Sequence, residues 1–141
     1  MTTKTKLARG TAMVEFAFAL PVLLALVLGI VKFGIAYNNK ITLTEAVAVA
    51  GRTLSVSRLD NPNGCTDATT AFRLAGASLS GIGTITPSYS FSGGGGSSCA
   101  SGLVAGDSAT VSASYACDVK ILFYNFAPGC TLTATITERI E

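Results

Sequence analysis

From Phe16 to Val31 the chain reads FAFALPVLLALVLGIV, sixteen positions without a charge, bounded by Glu15 on one side and Lys32 on the other. As a helix this run is roughly 24 Å long at ~1.5 Å per residue, slightly less than a ~30 Å hydrocarbon core. Extended to residues 11–37 it reaches about 40 Å, with Lys32 snorkelling and Tyr37 at an interface. The run is apolar on every side, so periodicity alone does not separate a membrane helix from a buried one. No later segment is large enough to bury it all round, and a membrane span follows.

Beyond the span the pattern changes. Residues 38–57 carry apolar positions at Ile41, Ala46, Val47, Ala48, Ala50 and Leu54, while Glu45, Arg52 and Arg58 fall mostly on the other side. That spacing predicts one helix over about residues 11–57, its outer half packed under a small head. The cluster Asp60-Asn61-Pro62-Asn63-Gly64 is a stop signal. Thr66-Asp67-Ala68-Thr69 predicts the cap of a short helix running to about Leu79, with Phe72, Ala75 and Leu79 inward and Gly76 against it.

The remainder reads as strand. Residues 84–91 hold Ile85, Tyr89 and Phe91 around Pro87, which confines them to an edge or a bulge. Val111, Ala113 and Tyr115 share one face of 109–115, and Leu132, Ala134 and Ile136 share one face of 131–137. Between them 119–126 (VKILFYNF) is a further strand or an apolar surface patch, with core packing the favoured reading. Residues 92–102 (SGGGGSSCASG) read as a flexible, exposed loop. The expected fold class is α+β: a long amino-terminal transmembrane and amphipathic helix, then a small disulfide-bonded head (58–141) with a short helix and an antiparallel sheet.

Composition agrees with a lipid-solvated segment. Hydrophobic residues make up 49% of the 141, charged residues only 13%, and mean hydropathy is +0.52; charged residues usually form about a quarter of a soluble domain. The net charge of +2 is too small, and a basic face with interleaved aromatics is missing, so nucleic acid is not an expected partner. Residues 1–10 hold Lys4, Lys6 and Arg9 and no acid, which leaves seven basic against eight acidic residues elsewhere. By the positive-inside rule the amino terminus stays cytoplasmic and residues 38–141 face outward.

The chain has no His, hence no imidazole base or ligand. The glycines 93–96 lack the Gly-Lys-Ser/Thr of a phosphate loop and read as linker. Asp107 and Asp118 read as solvated turn acids. No enzyme, metal site or cofactor is expected.

Four cysteines, Cys65, Cys99, Cys117 and Cys130, all follow the span. Their even number suggests two disulfides in an oxidising compartment, since gaps of 34, 18 and 13 residues do not suit a metal knuckle. Three connectivities are open. Cys65–Cys99 with Cys117–Cys130 is favoured, because the second bridge closes a hairpin-like segment, an effect of order 3 kcal/mol.

Two residues do not suit a plain anchor. Glu15 enters the apolar helix near its start, where an acid is costly, although it also complements the helix dipole. Pro21 lies well inside and leaves the carbonyl of Ala17 without its partner, so a kink or opened turn is expected.

The stretch Arg9-Gly10-Thr11-Ala12-Met13-Val14-Glu15-Phe16, followed by the apolar run, resembles a type IV prepilin processing site. With Thr11 counted as first, Glu15 is fifth and Pro21 eleventh. The Glu15-Phe16 pair and Pro21 resemble the TadE-like pseudopilins of tight-adherence pili more than type IVa pilins, over about residues 9–58. The resemblance implies that a prepilin peptidase removes residues 1–10 between Gly10 and Thr11. It further implies residence in the bacterial inner membrane with a periplasmic head, possible entry into a surface pilus, and other pilins or assembly proteins as partners beside the membrane lipid. Cleavage would create an amine on Thr11 to pair with Glu15 of the same or a neighbouring helix and so set register. The length favours a minor pilin over the short major one. Two other readings remain: an uncleaved signal anchor carrying an extracytoplasmic binding domain, and a secreted protein cut near Ala36.

Overall fold

The computed structural model describes residues 3–57, 61, 63–117, 120, 121 and 124–141. Asp118, Arg58, Val119, part of the 60–64 turn and the centre of the 119–126 segment lie outside the described residues. Helix α1 covers Thr3–Ser55 and continues unbroken past Pro21. Helix α2 covers Gly64–Ala75, and a 3-10 turn Ile82–Thr84 leads into the strands. These are β1 (Ser88–Ser92), β2 (Ser108–Ala116), β3 (Lys120–Ile121), β4 (Tyr124–Asn125) and β5 (Thr131–Arg139). β2 is the centre of an antiparallel sheet ordered β1-β2-β5, and β3 and β4 form a separate two-stranded ladder.

The core lies where the outer part of α1 crosses the inner face of this sheet. Leu43, Ala46, Val47, Ala50 and Leu54 form a buried stripe at helical spacing. Ile41 is exposed and Ala48 only partly covered, so the stripe is rotated from the one read in the sequence and Leu43 takes their place. The alternation expected in the two long strands is present. Tyr115 faces Leu132, Ala113 faces Ala134 and Val111 faces Ile136 in register on the inner side. Alanines on both layers shorten the distance at which backbones pack.

Gly51 extends that logic. A Cβ there would lie 2.9 Å from Ile136 Cγ2 and 3.3 Å from Glu138 Cγ, so the helix passes β5 closely at this point. Gly51→Leu is expected to destabilise the head by ~1–3 kcal/mol through overpacking, read as a lowered unfolding midpoint. Gly51→Ala is expected to cost less, because the Ile136 methyl can give way.

Helix α2 differs from expectation at both ends. It starts two residues before Thr66, and the turn ahead of it is held by Asn61, whose side chain accepts the Asn63 N–H at 2.9 Å and donates to Asp67 at 2.8 Å. It stops at Ala75 because Gly76 closes it, its N–H reaching the Phe72 carbonyl at 2.9 Å. Leu79 is nonetheless buried, in the turn that follows rather than on the helix. Pro87 immediately precedes β1, which is an edge strand as expected, and residue 84 belongs to the 3-10 turn rather than to the strand.

The bonded cysteines are Cys65–Cys99 and Cys117–Cys130, with Cα atoms 5.6 Å and 5.3 Å apart. The first ties α2 to the glycine-rich loop. The second closes the segment holding β3 and β4 at the end of the sheet that faces Ala36, Tyr37 and Lys40 of α1.

Candidate functional site: an apolar helix end and the head it carries

Residues 12–28 of α1 are exposed on all sides. Phe16, Phe18, Val22 and Leu23 are among the most exposed large apolar groups of the chain. The helix is long and apolar enough to cross a membrane, with a mean hydropathy of 2.5 in its most apolar window.

Glu15 stands exposed within this stretch, the one acid among residues 3–44. It lies four residues after Thr11, hence on the same helical face one turn further on. Gly10 and Thr11 are both within α1. Glu15, Phe16 and Pro21 follow on the same helix, so the residues singled out in the sequence form one continuous element rather than a pocket. The disulfide cysteines belong to the head and are distant from them in the chain.

In the head, the glycine-rich loop is organised around Asp107. The carboxylate is buried and accepts the Gly95 N–H at 3.0 Å on Oδ1 and the Ser97 N–H at 3.1 Å on Oδ2. Ser97 Oγ in turn accepts the Val104 N–H at 2.8 Å. A Cβ on Gly95 would lie 2.7 Å from Val104 Cβ and 2.9 Å from Asp107 Oδ2. Glycine is therefore required there by close approach, and the loop is a wrapped structure, not a flexible linker. Asp107 is likewise a buried acceptor and not a solvated turn acid. The missed signal was local: a loop rich in N–H donors with few side chains, followed ten residues on by a single acid.

The Ser97 side chain and then the Gly95 and Ser97 amides hold the Asp107 carboxyl below the usual aspartate range. A depressed folded-state pKa gives stability that is present above the unfolded value, about 3.9, and lost as pH falls through the folded one. The unfolding midpoint is expected to drop on acidification below about pH 4, and Asp107→Asn to flatten that part of the profile. Tyr89 makes the other polar link, its hydroxyl 2.8 Å from Thr69 Oγ1. Thr69 already donates to the Cys65 carbonyl at 2.8 Å, so Tyr89 is the donor to Thr69. Burial raises the Tyr89 phenol, against the Thr69 hydrogen bond and the Arg73 charge.

The outward face of the sheet carries mostly hydroxyls: Ser88 and Ser90 on β1, Thr110 and Ser112 on β2, Thr135 and Thr137 on β5, with Arg139 at one end of β5. Ser88 and Ser112 pair across strands at 2.7 Å, and Thr110 and Thr137 at 2.8 Å. Such a face is hydrogen-bonding, with Arg139 its charged group among the described strand residues. It follows directly from the polar positions of the strand alternation, though the sequence reading took only the apolar ones. Among the described residues no three His, Cys, Asp or Glu side chains are grouped as metal ligands.

Among the described residues one helix is long and apolar enough to cross a membrane, and it carries a disulfide-bonded α+β head. Residues 10–52 match the family model described as TadE-like protein, over the stretch where Gly10, Glu15 and Phe16 carry the resemblance. The match takes in the apolar stretch and most of the stripe that packs under the sheet; the head's own elements follow it. No curated protein and no solved structure matches the chain.

Proposed function

We propose that this chain is a minor pilin or pseudopilin of a tight-adherence type IV pilus. A prepilin peptidase cuts between Gly10 and Thr11, the helix from Thr11 onward resides in the inner membrane, and the head stands on the periplasmic side. The processed chain then acts in pilus assembly or adhesion beside other pilins. The observation that carries this reading is the bare helix end: residues 12–28 uncovered on every side, with Glu15 alone among them and one turn from the proposed new amine. A helix solvated by lipid before assembly and by other helices after it needs no cover from its own head. The family match over residues 10–52 supports the same assignment.

Electrostatics gives Glu15 its part. At the rim of a low-dielectric helix bundle an acid is tolerated when paired, and the Thr11 amine of a neighbouring subunit supplies the partner only at one axial offset. The hydroxyl-rich face and the apolar helix are then two different contact surfaces, one for water-exposed partners and one for the filament interior.

Intact-mass measurement and amino-terminal sequencing of the protein from piliated cells test the processing step. The expected first residue is Thr11, with the ten residues before it absent. A chain beginning at Met1 in cells with active prepilin peptidase overturns the assignment and leaves the signal-anchored binding domain.

A further inference from the structure

Between α1 and the head lies a groove of about 750 Å³. Its helix wall is formed by Ala25, Gly29, Phe33 and Ala36, with Lys40 at the far end. The opposite wall is the Cys117–Cys130 disulfide and Phe126. Small residues open the space on the helix side: a Cβ placed on Gly29 meets nothing within 4 Å. Phe126 is 61% exposed beside it, an arrangement poorly suited to water.

The helix wall of the groove, from Ala25 to Lys40, has the length of one leaflet. With one hydrocarbon boundary at Phe16, where the charge-free run starts, a ~30 Å core takes about twenty residues. The midplane then falls near Ala25 and the other boundary near Ile35. Lys40 lies about 7 Å beyond that boundary, within the headgroup layer. From Ala25 to Lys40 is about 22 Å, a half-core plus one headgroup layer.

We infer that this groove holds one phospholipid, an acyl chain lying between α1 and the disulfide-closed segment and the phosphate meeting Lys40. An apolar cleft opening into hydrocarbon fills with the chains that surround it, since leaving it empty forfeits dispersion contacts on both walls. The polar end is matched as well. Lys40 Nζ donates one hydrogen bond to the Thr133 carbonyl, which fixes the ammonium at the rim, and an ammonium has two further donors for a phosphate. A second copy's helix would fill the cleft with apolar side chains and no phosphate, and is an outcome of the test. The inference rests on α1 spanning the membrane as proposed above.

The test reconstitutes the full chain in nanodiscs of phosphatidylethanolamine and phosphatidylglycerol and releases it gently for native mass spectrometry. One phospholipid retained per chain is expected, with Gly29→Leu lowering the retained fraction about tenfold and Lys40→Gln lowering it less. A second measurement is independent of that variant's folding. The chain has no Trp, so Phe126→Trp gives a single emitter, and acyl-brominated phospholipid in vesicles is expected to quench it. An inserted chain that retains no lipid, retains it equally with Gly29→Leu, shows unquenched emission, or is recovered as a lipid-free dimer overturns the groove assignment alone. Release of the chain from membranes by alkaline carbonate overturns the spanning helix and the groove together.

Discussion

Cells carrying Glu15→Ala are expected to insert the protein normally and to assemble about a hundredfold fewer pili dependent on it. The variant removes the acid and leaves the amine of the processed neighbour buried without a counter-charge. Breaking one side of a buried pair costs ~3–5 kcal/mol, and each ~1.4 kcal/mol is tenfold in an equilibrium constant. Membrane insertion does not depend on the pair, because the apolar run of Phe16–Val31 supplies it. Fractionation and pilus yield read the two outcomes separately. Wild-type pilus yield from Glu15→Ala eliminates the register role of this residue, whatever the state of processing.

The second large effect concerns the head. Phe72 is fully buried and is the bulkiest of the fully buried side chains. It projects from α2 into the layer shared by the α1 stripe and the inner face of the sheet. Phe72→Ala is expected to lower stability by ~3–5 kcal/mol, transfer and cavity terms together. Against a typical total of ~5–15 kcal/mol for a domain, that removes a large part of the margin. Denaturant titration of the full chain in detergent, followed by tyrosine circular dichroism, measures it. A midpoint within error of the parent protein contradicts the packing described for α2.

What the sequence made legible follows from the range over which each signal acts. The membrane run, the α1 continuation, the inner faces of β2 and β5 and the two cysteine pairs come from patterns within one element or from chain closure. Ile41 against Leu43 shows where that stops: helical periodicity identifies an apolar stripe but sets its angle only to within a residue or two when Ala, Val and Ile alternate closely. The α2 start was displaced for a similar reason. Thr66 and Asp67 are good capping types, but the Asn61 side chain organised the turn earlier, and a Thr two residues inside a helix looks the same in sequence as a Thr at its cap.

Asp107 and Gly51 depend on partners distant in the chain. Asp107 serves amides ten and twelve residues before it, and Gly51 makes room for Ile136 on a strand far along the sequence. Nothing local marks Gly51, and the donor-rich loop that marks Asp107 lies ten to twelve residues before it. At the amino-terminal end the reverse holds: Gly10, Thr11, Glu15, Phe16 and Pro21 are marked by adjacent positions, and the structure adds chiefly that residues 12–28 are exposed.

The same helix that is bare at one end is core at the other, and its last turn is clasped by the end of the chain, where the Glu141 N–H reaches the Ser55 carbonyl at 2.9 Å and Ile140 is buried. Mechanically this makes α1 a rigid spoke rather than a tether. Displacement of the exposed end is delivered to the sheet through continuous helix from Val22 to Ser55.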